Sequence, residues 1–353
     1  MKIGTVTGPL LNGIATELET LGYDTVLFTD NQGAAPDVWT ALGAAAVQTT
    51  RVRLGTGVTN TLTRDPSVTA DAALTLQVLS MGRAVLAVGR GDASAHYMGT
   101  APERLARFEQ KVAMIRAYLR GEVVPRGDVA SRIERGDVAS QIERGDVASR
   151  IEWLRLMPGL PAVPLELVPS GPRVAAIAAR HADRISFAVG ADPEWVAGFI
   201  ADAKSAAAAA GRDPSSIQFG AWVNAVLNDD ATVARDAVRG TAALWARFSA
   251  FRGRDLASLP GPLARAARQL REHYDMTAHG EGLAAHARDL PEEFLDWFTV
   301  TGSAERVRRR FADLAATGLD YCYVVPGALG FADAVGAESM ARIAREVLPR
   351  LAA

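Results

Sequence analysis

The sequence predicts an α/β fold, a (β/α)8 TIM barrel forming a single domain over residues 1–353. Short β-rich runs alternate with longer amphipathic or alanine-rich stretches along nearly the whole chain, which is the pattern of a parallel sheet with crossover helices. Eight such runs can be counted, each followed by a helix. Several runs, such as Ala84 to Val88, are apolar throughout, as expected for parallel strands buried on both faces. A doubly wound open sheet is the alternative.

The elements are predicted in the following order. The strands are Lys2 to Val6, Thr25 to Thr29, Val52 to Gly55, Ala84 to Val88, Pro164 to Val168, Arg184 to Val189, Gln218 to Leu227 and Tyr321 to Val325. The helices are Gly13 to Leu21, Val38 to Thr49, Ser67 to Leu79, Glu103 to Leu119, Arg173 to His181, Glu194 to Ala210, Ala231 to Phe248, Pro262 to His273, Ser303 to Thr317 and Ala332 to Leu351. Two insertions interrupt this order, at about 123–160 after helix four and at about 249–300 after strand seven.

The first insertion contains a repeat of nine residues: RGDVASRIE at 126–134, RGDVASQIE at 135–143 and RGDVASRIE at 144–152. Nine residues advance a helix by about 900°, so the Val/Ile pairs of successive copies would fall on opposite faces of one long helix. Gly-Asp in each copy is also a turn signal. We therefore expect short extended or helical pieces separated by turns, produced by recent duplication on the side of the barrel opposite the strand C-termini.

Composition limits the classes of partner. With 38 Lys+Arg against 40 Asp+Glu the formal net charge is −2, and no basic block of the kind that nucleic acid or an anionic membrane requires is present. The single cysteine, Cys322, cannot form an intrachain disulfide, and the five histidines have no metal-ligand spacing, so we expect no metal. The sequence begins without a signal-peptide pattern and has no apolar run of the ~20 residues that span a bilayer, so we expect a cytoplasmic protein.

In a barrel of this kind the functional side chains lie where strands end and loops begin. Strand two is followed by DNQ at 30–32, strand three by GTGVTN at 55–60 and strand four by GRGDAS at 89–94. Helix capping and turn formation are the ordinary roles of such residues. Glycines at a strand end also permit a bulge or a close approach of the backbone to a ligand. The third of these loops has backbone N–H groups, a carboxylate and a hydroxyl suited to a polar ring system.

The loop after strand five, SGPR at 170–173, has the chemistry of an anion site. It combines a hydroxyl, backbone N–H groups and a cation at a helix N-terminus, where the helix dipole favours negative charge. Gly190, after strand six, is expected beside it. Because five such loops follow five consecutive strands, they indicate one ligand site along this edge of the barrel.

Five segments together point to a known family: LGYDTVLFTD at 21–30, LGTGVTNTLTRDP at 54–66, TLQVLSMGRAVLAVGRGD at 75–92, SGPR at 170–173 and FTVTGSAERV at 298–307. They resemble the luciferase-like flavin and deazaflavin oxidoreductases, particularly the methylenetetrahydromethanopterin reductase branch. The resemblance covers most of the chain, and the run from Leu54 to Asp92 is its most specific part.

The resemblance implies a barrel that holds the ring of coenzyme F-420, or alternatively FMN, at its C-terminal mouth. In such enzymes a non-prolyl cis peptide in a bulge after strand three lies behind the ring, and Gly57-Val58 occupies the matching position. The residues expected to contact the cofactor are Asp30, Gly57, Val58, Asn60, Gly89, Arg90, Gly91 and Ser94, with Ser170, Gly171, Arg173 and Gly190 in the phosphate region. The resemblance also implies a homodimer that acts on a small-molecule substrate.

One departure from the family pattern concerns catalysis. Some deazaflavin dehydrogenases carry a histidine directly after the strand-two aspartate and a glutamate in the strand-four loop, where this chain has Asn31 and Asp92. This puts a sugar-phosphate dehydrogenase activity in doubt. The catalytic candidates are Asp92, Asn31 and His96: Asp92 transfers a proton or hydrogen-bonds the cofactor, and His96 reaches the substrate or is an ordinary surface residue. Trp222 either points into the top of the barrel or packs in its core.

The function predicted from these features is transfer of a hydride between C5 of coenzyme F-420 and a small organic substrate such as an imine, an enone or a pterin-like compound. An FMN-dependent luciferase-like monooxygenase of the same fold is the first alternative. A non-catalytic flavin-binding homologue is the second, because fold-level analogy does not exclude it. The residues His273-Tyr274-Asp275 of the second insertion are expected to border the substrate pocket.

Overall fold

The computed structural model describes residues 1–9, 13–125, 148–169, 171–251, 255–278, 280–282, 284–327 and 334–351. The predictions made for Ser170 and for most of the nine-residue repeat, 126–147, lie outside the described residues.

Eight parallel strands form a closed barrel: β1 (Lys2–Thr7), β2 (Thr25–Phe28), β3 (Arg53–Thr56), β4 (Ala84–Gly89), β5 (Leu165–Leu167), β6 (Arg184–Phe187), β7 (Gln218–Leu227) and β8 (Tyr321–Val325). Each strand pairs with the next one along the chain, and β8 pairs with β1 to close the ring. The predicted TIM barrel is confirmed, and the open sheet is wrong. Because all strands run in one direction, their C-terminal ends meet at one mouth.

Helices surround the strands: α1 (Ile14–Thr20), α2 (Val38–Gln48), α3 (Pro66–Leu79), α4 (Asp92–Tyr97), α5 (Leu105–Leu119), α6 (Pro172–His181), α7 (Pro193–Ala209), α8 (Ala231–Trp245), α9 (Gly261–His273), α10 (Ala285–Arg288), α11 (Glu292–Phe298), α12 (Ala304–Ala315), α13 (Ala334–Glu346) and α14 (Leu348–Leu351). In the described ranges, no helix is both long and apolar enough to cross a membrane.

Local sequence explains where several helices begin. Their first turns donate a backbone N–H to the side chain of a preceding aspartate: Asp37, Asp65, Asp192 and Asp230. Pro66 follows Asp65 directly, and its fixed φ suits the first helical position. Along α5, Phe108, Val112 and Ile115 recur at intervals of three and four residues and are buried, as an amphipathic helix on a barrel requires.

Two parts of the mouth differ from the predicted order. The loop after β4 forms the short helix α4 directly after Gly91, whose φ of 81° lies in the left-handed region that favours glycine. The helix predicted to run to Phe248 ends instead at Trp245 and continues as a π-helical turn, Ala246–Ala250. Apolar periodicity predicts a helix but does not distinguish the hydrogen-bond patterns of α and π turns.

Aromatic rings pack the second insertion against the barrel. Trp195 on α7 meets Trp297 on α11 edge to face, with 5.5 Å between ring centroids. Phe251 stacks on Trp297 at 6.4 Å and also meets Trp195. A short strand after α11, Val300–Gly302, pairs in parallel with the end of β7. These contacts place the segment after β7 beside the mouth, where the sequence predicts an overhanging insertion.

The two ends of the first insertion lie side by side, because Val124 pairs with Ser149 and Pro125 with Ala148 in a short antiparallel ladder. We expect deletion of residues 126–143 to leave the free energy of unfolding within about 1 kcal/mol of the parent value, since 144–147 then close the ladder as a short hairpin loop and a shorter loop costs less closure entropy. Thermal unfolding of both chains measures this. A change of mass in light scattering, or loss of ligand binding by the deleted chain, would show that the repeat is functional.

Candidate active site

A cleft of about 270 Å³ opens at the mouth of the barrel, and its two halves differ in chemistry. The half formed by α4 and the ends of β2, β3 and β4 is mostly polar: Thr29, Asp30, Asn31, Gly57, Val58, Asn60, Gly89, Arg90, Gly91, Asp92, Ala93 and Ser94. The half formed by the other strands, α8 and the second insertion is mostly apolar: Val6, Val168, Ala188, Trp222, Thr241, Leu244, Trp245, Phe248, Ser249, Met276 and Val325.

Asp30 is a buried carboxyl at the end of β2. The Thr59 hydroxyl donates to its Oδ2 at 2.6 Å, and the Gln32 amide donates to its Oδ1 at 2.6 Å. Burial raises the pKa of the Asp30 carboxyl, and these hydrogen bonds together with the charge of Arg64 counteract only part of that rise. A carboxyl that faces a cleft and keeps its proton to a higher pH than an exposed aspartate is suited to proton transfer.

Asn60 links the loops after β3 and β4. Its side-chain N–H groups donate to the Ser94 hydroxyl at 3.1 Å and to the Gln32 carbonyl at 3.2 Å. Its side-chain oxygen accepts from the backbone N–H groups of Leu62 at 2.9 Å and Thr63 at 3.1 Å. Because asparagine has donors and an acceptor in one planar group, it can hold both loops at once.

The bulge after β3 brings the backbone to the cleft. The peptide bond between Gly57 and Val58 is cis, as predicted. A Cβ atom on Gly57 would lie 2.8 Å from the Leu27 Cβ and 3.1 Å from the Val6 Cγ1, so only glycine allows this approach to the barrel interior. Gly57 is thus needed for the bulge, which is one of the two roles that the sequence predicts for a glycine at a strand end.

An ion pair lies on the polar half of the cleft. The Arg90 guanidinium donates to Asp92 Oδ1 from Nε at 3.2 Å and from a terminal nitrogen at 2.8 Å. Both side chains are largely shielded from solvent, with exposed fractions of 16% and 26%. The pair therefore presents a positioned cation and a positioned carboxylate to any ligand in the cleft.

Trp222, on β7, forms the floor of the cleft and is also buried in the core beneath it, so both of its predicted roles are found. Its ring meets Trp245 and Tyr323 edge to face, at centroid distances of 6.2 and 5.6 Å. The tip of the ring lies under the bulge, since a Cβ on Gly57 would be 3.4 Å from its Cη2 atom. Its indole Nε1–H donates to the Ser186 hydroxyl at 2.8 Å.

A hydrogen-bonded chain continues from this floor to a buried ion pair. Ser186 donates to Glu166 Oε1 at 2.5 Å, while Glu166 Oε2 accepts from Arg184 Nε at 3.1 Å and from the Tyr323 hydroxyl at 2.9 Å. The Arg184 guanidinium also lies over the Tyr321 ring, 3.8 Å from its centroid. Burial opposes the charge of Arg184, but the neighbouring Glu166 carboxylate outweighs this effect and raises the pKa of Arg184 above its usual value.

The structure separates the three catalytic candidates. Asn31 and Asp92 both line the cleft. His96 lies on α4 but is exposed, and its ring contacts Tyr97 at a centroid distance of 5.8 Å. It is not among the described residues that line the cleft. Asp92, Ala93 and Ser94 at the start of α4 line the cleft, whereas His96 lies one turn further along the helix, beyond the part that reaches the cleft.

The residues predicted for the phosphate region lie outside the described lining of the cleft. Gly171 directly precedes α6, and Arg173 is exposed in its first turn. Gly190 is buried beside the ring of Phe298. Of the described residues in this group only Arg173 is exposed, and the phosphate site stays a prediction.

Sequence reasoning missed two parts of the site. In the wall made by Leu244, Trp245 and Phe248, the place of Phe248 depends on the π-helical turn, which has no sequence signal of its own. The Glu166–Arg184 pair had a signal: each is a charged residue within an otherwise buried strand. Charges at such positions are rare without a partner, so the two could have been paired from the sequence.

A parallel barrel with a mixed polar and aromatic cleft at its strand C-termini has the arrangement of a barrel enzyme that binds its ligand at the mouth. The chain belongs to the luciferase-like monooxygenase family, whose model matches residues 11–321. The family resemblance carried by the five sequence segments is thus confirmed, and the family's members are oxidoreductases and monooxygenases.

Two curated relatives are reductases by name. A phthiodiolone/phenolphthiodiolone dimycocerosates ketoreductase from Mycobacterium kansasii is 28% identical over 306 residues, which cover 82% of this chain and 77% of that protein. A 5,10-methylenetetrahydromethanopterin reductase from Methanolobus tindarius is 39% identical over 108 residues, which cover 30% of this chain and 33% of that protein.

Solved structures share the fold. The coenzyme F420-dependent tetrahydromethanopterin reductase from Methanopyrus kandleri superposes with a TM-score of 0.68 at 19% identity, over 99% of each chain. The monooxygenase RslO1 from Streptomyces bottropensis superposes with a TM-score of 0.63 at 22% identity, over 99% of this chain and 100% of that one.

The Ser186→Ala variant tests the chain of hydrogen bonds under the cleft. We expect it to lower the free energy of unfolding by about 1 to 3 kcal/mol, because it removes the acceptor of the Trp222 N–H and a donor to Glu166 in a dry interior. In protein labelled with 5-fluorotryptophan, the ¹⁹F signal assigned through Trp222→Phe should shift or broaden.

Thr5→Val is the matched control. The Thr5 hydroxyl is equally buried and donates to the Val324 backbone oxygen at 2.9 Å. The control should lose stability and leave the Trp222 signal in place. An unchanged Trp222 signal in Ser186→Ala would contradict the anchoring role.

Proposed function

We propose that the protein transfers a hydride between coenzyme F-420 and a small organic substrate, a carbonyl compound being the favoured class. The observation that carries the proposal is the divided cleft, in which polar groups of β2 to β4 face an aromatic wall across the floor made by Trp222. The polar half suits the hydrogen-bonding edges of a flat cofactor ring, and the apolar half leaves space for a substrate beside it.

The chemistry of the residues fits a flavin-type ring. Asp30 and Arg90 supply an acceptor and a donor to a ring edge that carries N–H and carbonyl groups. Asn60 and Ser94 hold these loops together, and the Gly57-Val58 bulge brings backbone against one face of the cleft. Bound there, the deazaflavin would carry two electrons as a hydride, with the protein supplying position and electrostatics.

The side chains of this protein handle the proton that accompanies the hydride. Asp30 is the first candidate to move this proton, because burial raises the pKa of its carboxyl and the carboxyl faces the cleft. Asp92 is positioned by Arg90 on the same half of the cleft and is the second candidate. Asn31 supplies a neutral amide beside them where the related dehydrogenases carry a histidine, so it orients a ligand and does not exchange a proton at neutral pH.

The relatives support reduction. The M. kansasii relative, which matches 82% of this chain, is named a ketoreductase, and the M. kandleri protein is named F420-dependent. An F420-dependent secondary alcohol dehydrogenase, whose structure holds an F420-acetone adduct, also shares the fold with a TM-score of 0.67 at 18% identity. Interconversion of a ketone and an alcohol is thus within the chemistry named for proteins of this fold.

An FMN-dependent monooxygenase is the second candidate function. The description of the matching family model and the RslO1 structure favour it. The two candidates differ in the cofactor ring, since a deazaflavin lacks the nitrogen that supports oxygen chemistry.

Titration of the purified protein with F-420 and, separately, with FMN tests the choice. We expect F-420 to bind and its visible spectrum to change on binding, while FMN binds at least tenfold more weakly. Tighter binding of FMN, with oxygen uptake in the presence of reduced FMN, would support the monooxygenase and contradict the proposal.

Arg173→Ala tests the phosphate region. We expect it to weaken F-420 binding by about 1 to 3 kcal/mol, which is the range for losing a hydrogen bond to a charged group. Arg180→Ala, at the other end of the same helix, removes a cation that pairs with Glu109 at 2.7 Å and should leave the affinity unchanged. Equal affinities of both variants and the parent would place the phosphate elsewhere.

A further inference from the structure

The aromatic side of the cleft is built by one segment of the chain. The last turn of α8 supplies Leu244 and Trp245, the π-helical turn supplies Phe248, and the second insertion adds Met276. These side chains stand opposite the loops after β2 to β4. Polar and apolar contacts to a ligand therefore lie on opposite sides of the cleft.

The wall is supported from behind by other rings. Phe248 meets Tyr274 edge to face, with 5.2 Å between centroids, and Tyr274 lies 4.2 Å from the His286 ring. Trp245 meets Trp222 on the cleft floor at 6.2 Å. The wall is therefore preformed, and a ligand need not order it on binding.

The described lining of the apolar half carries no charge. Among the described residues that line this half, none is ionisable. Of its two hydroxyls, that of Thr241 accepts from the Asn224 amide at 2.6 Å. Arg247 lies over the Phe248 ring, 5.2 Å from its centroid, and is not part of the lining. An ion placed against this lining would lose hydration without gaining a charged partner among the lining residues.

We propose that the substrate is a neutral carbonyl compound whose carbon chain is apolar and lies along this wall, with the carbonyl group toward the polar half. The identity of the reacting group rests on the proposed function, whereas the selection against charge and for apolar surface rests on the wall alone. Leu244 and Phe248 are the residues that determine this specificity. Sugar phosphates and substrates with carboxylates at this end are excluded by the same argument.

A homologous series of ketones tests the inference. Dissociation constants of 2-butanone, 2-pentanone and 2-hexanone are measured by ligand-observed NMR on the full chain, with and without F-420. Each added methylene should tighten binding about threefold to fourfold, as expected when a CH₂ group leaves water for an apolar surface. The anion 4-oxopentanoate, which carries a carboxylate where 2-hexanone carries its terminal ethyl group, should bind at least tenfold more weakly than 2-hexanone. Affinity independent of chain length, or equal binding of the anion, would overturn the proposal.

Two substitutions test whether the wall causes the dependence of affinity on chain length and on charge. Phe248→Ala should reduce the gain per methylene to less than twofold, and Leu244→Lys should reverse the preference between 2-hexanone and 4-oxopentanoate. Val233→Ala, at an exposed position of α8, is the control. It should change neither the gain in affinity per methylene nor the preference between 2-hexanone and 4-oxopentanoate. If Phe248→Ala instead weakens F-420 binding and keeps the full gain per methylene, the ring belongs to the cofactor site and the inference is wrong.

The experiment also separates this inference from the proposed function. If the protein does not bind F-420 but its affinity for the ketones still rises threefold to fourfold with each methylene, the proposed function is contradicted and the apolar site is supported. If the protein binds F-420 but its affinity for the ketones does not change with chain length, the proposed function is supported and the inference is overturned.

Discussion

The buried carboxylate of Glu166 is the constraint on which the upper interior of the barrel depends. A carboxylate in a dry interior is tolerated only when donors and a cation surround it, and removing one partner of such a pair typically costs several kcal/mol. Here Arg184 and Ser186 come from the neighbouring strand β6 and Tyr323 comes from β8, so the last donor to the carboxylate is in place only when β8 has joined the barrel.

The same network reaches the ligand site, because the Ser186 hydroxyl that donates to Glu166 also accepts from Trp222. Trp222 in turn contacts Trp245 on the aromatic wall and lies under the bulge at Gly57. A rigid floor of this kind lets one side of the cleft be polar and the other apolar without either collapsing onto the other. Two reacting molecules must be held at short distance, and a preformed floor and wall reduce the entropy lost in doing so.

Much of the fold follows from local sequence. The eight strands and most helices are where the alternation of β-rich and amphipathic segments predicts them, because buried parallel strands and amphipathic helices have distinct periodicities. The loops after β2, β3 and β4 converge as predicted, since parallel strands bring their C-terminal ends to one edge. The His96 side chain and the π-helical turn were beyond this reasoning. Both depend on which hydrogen bonds a short segment makes once its neighbours are in place.

The sequence by itself determined the barrel, the polar loops at its mouth and the family, because these rest on periodicity and on contiguous motifs. Only the tertiary structure decided that Glu166, Ser186 and Trp222 form one chain of hydrogen bonds, and that Phe248 faces the polar loops across a cleft. The physical reason is that these contacts join residues far apart in the chain. Their formation depends on strand register and on closure of the ring, which no local pattern of residues encodes.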